Sequence, residues 1–184
     1  MRGLARKYGL PTAEKEDSQG VCFIGEFDMA DFLKRYIPER RGAVLTTSGR
    51  VAGEHNGVEF YTIGQRHGIG AGGGIPYYVI AKDPDTNTLT VAEGPYDSGL
   101  FRRELIATDI NWISGREPKM PLRCEARIRY RQPTQSCRIE KSETRNPKSE
   151  TLKVIFDEPQ RAITPGQSVV FYRGGEILGG GTIA

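Results

Sequence analysis

Between Leu122 and Arg131 apolar and charged residues alternate strictly, with Glu125 the one acid among arginines on the charged side. Leu122, Cys124, Ala126, Ile128 and Tyr130 fall on one side of an extended chain. Arg123, Glu125, Arg127, Arg129 and Arg131 fall on the other. A helix cannot segregate residues at a period of two, so this run predicts a half-buried strand with its first face packed inward. Further candidate strands cover residues 105–113, 136–141, 152–156, 168–172 and 177–183. Six strands separated by turn signals predict a closed barrel, because closure removes exposed sheet edges.

The chain before the barrel reads differently. Residues 43–46 and 50–53 flank Ser48-Gly49, a hairpin signal, and residues 77–81 and 88–92 flank a second turn at residues 83–87. Earlier still, Phe27, Ala30, Phe32, Leu33, Tyr36 and Ile37 have helical spacing, and Pro38 stops the helix. The expected fold is mainly β. Residues 1–40 form a linker, a cysteine loop and a short helix; residues 41–97 form a small central β domain; residues 98–184 form a six-stranded β-barrel. Residues 142–149 are polar and read as a mobile hairpin tip.

Several function classes are disfavoured. No apolar run approaches the roughly 20 residues of a membrane span, and the first ten residues lack a signal-peptide core. Three cysteines without a secretion signal argue against a disulfide framework and for the cytoplasm. No cysteine pair has zinc-site spacing, so no metal is expected. His55 and His67 read as exposed or hydrogen-bonded loop residues. Residues 68–74 hold five glycines. A phosphate cradle needs a helix to begin in such a run, and none follows, so it reads as a flexible connection.

Charge is uneven along the chain. Residues 1–97 carry 11 Lys/Arg and 13 Asp/Glu, whereas residues 98–184 carry 15 and 10. The basic half points to a polyanionic partner. Its sharpest feature is the arginine face of residues 123–131, which has two readings: a solvated charged face, or a phosphate-binding surface with Tyr130 placed to stack on a nucleotide. Gln65 and Arg66 also have two readings, as loop ties or as RNA contacts.

Cys22 stands apart from Cys124 and Cys137, which read as strand-interior core. It lies between Gly20 and Gly25, ahead of the expected helix. One reading is a small hydrophobe packed beside Val21, Phe23 and Ile24; local pattern favours it, since cysteine is so often buried. The other is a reactive thiol on a movable loop.

The run Lys15-Glu16-Asp17-Ser18-Gln19-Gly20-Val21-Cys22-Phe23-Ile24-Gly25 resembles the cysteine motif of the tRNA-specific 2-thiouridylases. Thr62-Ile63-Gly64-Gln65-Arg66-His67-Gly68 is similar to that family's second signature, with His67 where lysine is usual. Arg129-Tyr130-Arg131-Gln132 and Thr164-Pro165-Gly166-Gln167 resemble two more, in the right order, and Leu178-Gly179-Gly180-Gly181 fits the family's end. The resemblance implies a sulfurtransferase that thiolates C2 of the wobble uridine of tRNA. It implies that Cys22 carries a persulfide loaded by a sulfur-relay donor protein, with a transient disulfide to a cysteine outside this chain. It implies that Arg129, Tyr130 and Gln167 contact tRNA, with Arg127, Arg131, Gln65 and Arg66 as further candidates. ATP and Mg2+ serve the full-length enzyme through an amino-terminal domain bearing a Ser-Gly-Gly-x-Asp-Ser loop. No such run occurs here, so the chain is expected to match the carboxyl-terminal half, to bind no cofactor and to be inactive alone. Carboxylates at Glu14, Glu16, Asp17, Glu26 and Asp28 disfavour a Cys22 thiolate, so activation is expected to need that other domain or bound tRNA. The rival reading is a non-catalytic RNA-binding β module.

Overall fold

The structure is a computed structural model that describes residues 6–9, 32–72, 74–142 and 151–184. Residues 39–184 form one compact unit and residues 1–38 a separate one. In the latter, the Ile37 N–H donates to the Leu33 carbonyl at 2.8 Å, a helical turn at the end of the expected helix. The rest of that helix and the Cys22 loop lie outside the described residues, as does the polar tip at residues 143–149.

The first sheet contains β1 (Gly42–Thr46), β2 (Val51–His55), β3 (Tyr77–Asp83) and β4 (Thr88–Glu93). Its order is β2-β1-β4-β3. Both hairpins form where the turn residues place them. Gly49 takes φ 80°, a conformation that favours glycine at the tip of the first. What joins them is a parallel pairing of β1 with β4, Val44 opposite Leu89, which no local signal announces. Val44, Val58, Val79, Leu89 and Val91 are fully or almost fully buried beneath the sheet. Each such side chain contributes about 1.5–3 kcal/mol of transfer free energy.

Two sequence expectations fail in this sheet. His55 is not a loop residue: it ends β2 and is buried. Its Nδ1 accepts from the Gly57 N–H at 3.0 Å, so Nε2 carries the proton and donates to the Asn87 carbonyl at 3.1 Å. The glycine-rich run is also more than a flexible connection. Ile69 is buried, and Ala71 bridges to Gly53 on β2. The small residues let this backbone lie against the sheet edge, which larger side chains would hold away.

The barrel contains β5 (Phe101–Trp112), β6 (Leu122–Arg127), β7 (Gln135–Lys141), β8 (Leu152–Arg161), β9 (Ser168–Arg173) and β10 (Glu176–Ile183). It closes in the order β10-β5-β8-β7-β6-β9. The mainly β architecture, a small sheet followed by a closed six-stranded barrel, thus matches the expectation. Cys124, Ala126, Cys137, Ile139, Val154, Phe156 and Phe171 fill the interior. Cys124 and Cys137 are paired directly across β6 and β7 as free thiols, Sγ to Sγ 3.7 Å. β8 runs five residues past its expected end, through Pro159. Its pairing with β5 breaks register between Arg102 and Glu104, and proline is tolerated at such an irregularity.

The long alternation is cut short. β6 ends at Arg127, and Tyr130 is 92% exposed, not on the packed face. The Gln132 N–H bonds back to the Arg129 carbonyl at 3.1 Å, so Tyr130 and Arg131 are the central residues of a turn. The Gln132 amide locks that turn by accepting from the Ile128 N–H and donating to Gln160 Oε1.

Candidate nucleic-acid interface

The turn after β6 faces another turn with a clear cause. In Thr164-Pro165-Gly166-Gln167, proline presets the second position and Gly166 takes φ 81° at the third. The Gln167 N–H closes the turn on the Thr164 carbonyl at 3.3 Å. Proline followed by a positive-φ glycine is the type II arrangement. The turn leaves the Gln167 side chain exposed at the start of β9.

Between the two turns lies a groove of about 610 Å³. Arg129, Tyr130 and Gln167 all line it, so three residues carried over from two separate signatures meet at one place. Arg127 lines it as well. Among the described residues no aspartate or glutamate does, so that lining carries two positive charges and no compensating carboxylate. Arginines that offer paired N–H donors, together with a free aromatic ring, suit a phosphodiester chain with unstacked bases.

The arginines of the predicted face do not act alike. Arg123 is spent on Asp157, with Nη1 and Nη2 donating to the two carboxylate oxygens at 2.8 and 2.7 Å. Arg129 donates from Nη2 to the Ala162 carbonyl at 3.0 Å. Partial burial, with the Arg161 charge second, lowers the Arg129 pKa from its ordinary value. Arg131 is exposed but does not line the groove.

Gln65 and Arg66 are also outside the groove's lining. Gln65 is occupied locally: Oε1 accepts from the Thr62 N–H at 3.0 Å, and Nε2 donates to the His67 carbonyl at 2.9 Å. Their loop nevertheless reaches the Arg129 end. A Cβ built on Gly64 would lie 2.9 Å from the Ala162 Cβ and 3.5 Å from Arg129 Nη2.

Sequence reading missed Tyr172 and Ser168, which line the groove from β9. Only the β6–β9 pairing, Glu125 opposite Tyr172 and Arg127 opposite Val170, brings them there. A second cleft of about 500 Å³ lies between the sheet and the barrel, lined in part by Thr62, Lys82, Arg102 and Thr164. Among the described residues no cluster of three or more His, Cys, Asp or Glu is placed to hold a metal ion. No described helix is long and apolar enough to cross a membrane. The residues that most resemble a nucleotide site do not fit one. The glycine-rich run is held to the edge of β2 at Ala71, and the next element is β3, a strand.

Fold and groove together define a two-part β protein, a small sheet followed by a closed barrel with a basic outer groove. Residues 30–93 match the family model described as the tRNA methyl transferase PRC-barrel domain. Residues 102–183 match the aminomethyltransferase beta-barrel domain. The whole chain is 48% identical to the tRNA-specific 2-thiouridylase MnmA of Pseudomonas fluorescens, covering 49% of it. It is 50% identical to the protein of the same name from Geobacillus thermodenitrificans, covering 48%. The chain belongs to the tRNA-specific 2-thiouridylase family, and it spans about half the length of the curated relatives it matches.

Proposed function

We propose that this chain is the tRNA-gripping and sulfur-carrying part of a tRNA uridine 2-sulfurtransferase. The observation that carries the binding half is the convergence of Arg129, Tyr130 and Gln167 on one carboxylate-free groove. Arg129 holds a phosphate and fixes the register of the RNA. The Tyr130 ring, exposed at the tip of its turn, stacks on a base. The Gln167 amide donates to and accepts from a base edge or the backbone.

The sulfur half rests on the motif around Cys22. The Cys22 thiolate takes the outer sulfur of a donor protein's persulfide while the donor cysteine leaves as a thiol. That sulfur then bonds C2 of the wobble uridine as the activated C2 oxygen departs. A second cysteine in the relatives' remaining length breaks the S–S bond by forming a disulfide with Cys22. A thiolate is the attacking form, so the step needs surroundings that offset the carboxylates near Cys22. Activation of the uracil by ATP belongs to the relatives' remaining length, and no residue here is assigned to it.

The test has two arms. Anisotropy titration of the chain with a labelled anticodon stem-loop RNA gives salt-dependent binding, and Tyr130→Ala weakens it by about 1–3 kcal/mol, the worth of one stacked base. In the intact enzyme, Cys22→Ser abolishes thiouridine formation and leaves tRNA affinity unchanged. Retained thiolation after that change leaves the RNA-binding module as the correct reading.

A further inference from the structure

Arg127 is the groove's one strand-borne arginine, and among the described residues it has no polar partner. It ends β6 and projects across to β9, where its guanidinium carbon sits 5.1 Å from the centre of the Tyr172 ring. The two residues are diagonal neighbours, since Arg127 pairs with Val170 and Glu125 with Tyr172. Its Nε is one of two buried side-chain nitrogens without a hydrogen-bond partner among the described residues, the other being Trp112 Nε1. Glu125 shares the outer face of β6, and its Oε1 accepts from Thr134 at 3.0 Å.

A buried N–H without a partner is unfavourable, and proteins retain such groups where a function or a ligand compensates. Here the ring face holds the guanidinium by cation–π attraction and restricts its rotamers. The stacked face is closed to a nucleobase. Among the described residues the edge donors have no acceptor, and no carboxylate lines the groove. A planar fork of N–H donors fixed in advance matches the oxygens of a phosphodiester.

We propose that Arg127 is a preorganised receptor for an RNA backbone phosphate, and that Tyr172 is the positioning residue through which it acts. The inference rests on the RNA-binding reading of the groove. Labour then divides along the lining: Tyr130 is the exposed stacking ring, whereas Tyr172 stacks on protein and never on a base.

The test is a double-mutant cycle on the 184-residue chain, read by anisotropy titration with the same stem-loop RNA over a salt series. Tyr172→Phe keeps the ring and binds as the wild type. Tyr172→Leu keeps bulk without the ring and weakens binding about two- to fivefold, the worth of an exposed cation–π contact. Arg127→Ala weakens binding further and reduces the steepness of log K against log salt by about 0.7–0.9, one phosphate contact. The double variant binds no more weakly than Arg127→Ala alone. Melting temperatures accompany each variant, and Tyr172→Val replaces Tyr172→Leu if the latter melts below the assay temperature.

Unchanged affinity in Arg127→Ala overturns the proposal. So does a Tyr172→Leu loss that persists in full without Arg127, since that marks direct stacking on RNA. In both cases wild-type binding stands, and with it the reading of the groove. If the wild-type chain shows no salt-dependent binding, that reading fails and the inference falls with it.

Discussion

Arg129 Nη2 and Thr164 Oγ1 donate to the same oxygen, the Ala162 carbonyl, each at 3.0 Å. Ala162 itself sits at φ 51°, and its N–H is held by the Leu100 carbonyl at 2.6 Å. Thr164 Oγ1 also lies 3.5 Å from the Ile63 carbonyl. Two signatures far apart in sequence therefore meet on one peptide group, and Thr164 brings a third, at Ile63, beside it. Arg129 is consequently both an anchor and a proposed phosphate ligand.

Arg129→Ala is expected to lower both stability and RNA affinity. The lost bond is charge-assisted but half-exposed, so the stability cost is about 1 kcal/mol. Arg129→Lys keeps the charge without the planar fork, and is expected to restore the salt slope but not the melting temperature. Thermal denaturation beside the RNA titration separates the two roles. Affinity lost without any change in melting temperature would mean that the Ala162 bond contributes nothing.

Gly64 should be as sensitive as Arg129 although it offers RNA no side chain. It sits at φ 86°, and an added methyl would collide with the Ala162 Cβ. Gly64→Ala is expected to destabilise by about 1–3 kcal/mol through strain and overpacking. It should also weaken RNA binding by displacing the Arg129 anchor. Urea titration checks the first effect; an unchanged midpoint would place the loop away from Ala162.

Much of the barrel is legible in the sequence because a strand with one buried face must alternate. Cys124, Ala126, Cys137 and Ile139 are inside for that reason. Alternation has no memory of where pairing stops, so it carried Tyr130 inward when the Gln132 amide in fact turns the chain out. The groove was half legible. Arg129, Tyr130 and Gln167 follow from resemblance, whereas Tyr172 follows only from the antiparallel register of β6 and β9. The parallel pairing of β1 and β4 escaped for the same reason: long-range partners leave no local trace. Cys22, the centre of the sulfur reading, lies outside the described residues, and its case rests on its motif.

Asn87 is the polar hinge of the small sheet. It is buried at φ 50°, and Nδ2 donates to the carbonyls of Arg40 and Arg41 at 2.8 and 3.0 Å. Oδ1 accepts from the Val58 N–H at 3.3 Å. Asn87→Asp keeps shape and acceptor but removes both donors and buries a charge. It is expected to cost about 2–4 kcal/mol, measured by urea denaturation at pH 7. A loss under 0.5 kcal/mol, the level of an ordinary surface change, would mean that water replaces the amide at these carbonyls.

His55 makes the same region acid-sensitive. Burial, the largest cause, lowers its pKa below the usual histidine value, against opposing hydrogen bonds and the Glu59 charge. The unfolded chain therefore takes up the proton first as pH falls. The neutral ring's contribution is complete above the unfolded pKa of about 6.5 and is lost as pH falls through the lower folded value. Melting temperature should fall between pH 7 and pH 5, before most carboxylates titrate. His55→Gln should start lower and vary less across that window. An equal slope in the variant would move the acid sensitivity elsewhere.

Cys124 and Cys137 should stay unmodified while the barrel is closed. Both are buried, Cys137 completely. The hydrogen bond with Cys124 and then burial push the Cys137 thiol up, while the same hydrogen bond, aided by Arg173 and Arg123, pulls Cys124 down. Thiolate character and exposure thus both favour Cys124, and both govern the rate of attack on a maleimide. In the Cys22→Ser chain, maleimide at neutral pH is expected to label neither thiol in buffer and both in concentrated guanidinium. At denaturant just below the transition, local opening at the short β6–β9 pairing, Glu125 to Arg127 against Val170 to Tyr172, frees β6 first, and mass spectrometry should find Cys124 modified ahead of Cys137. Labelling of Cys137 first would mean that the β7–β8 side opens before β6 leaves its partners.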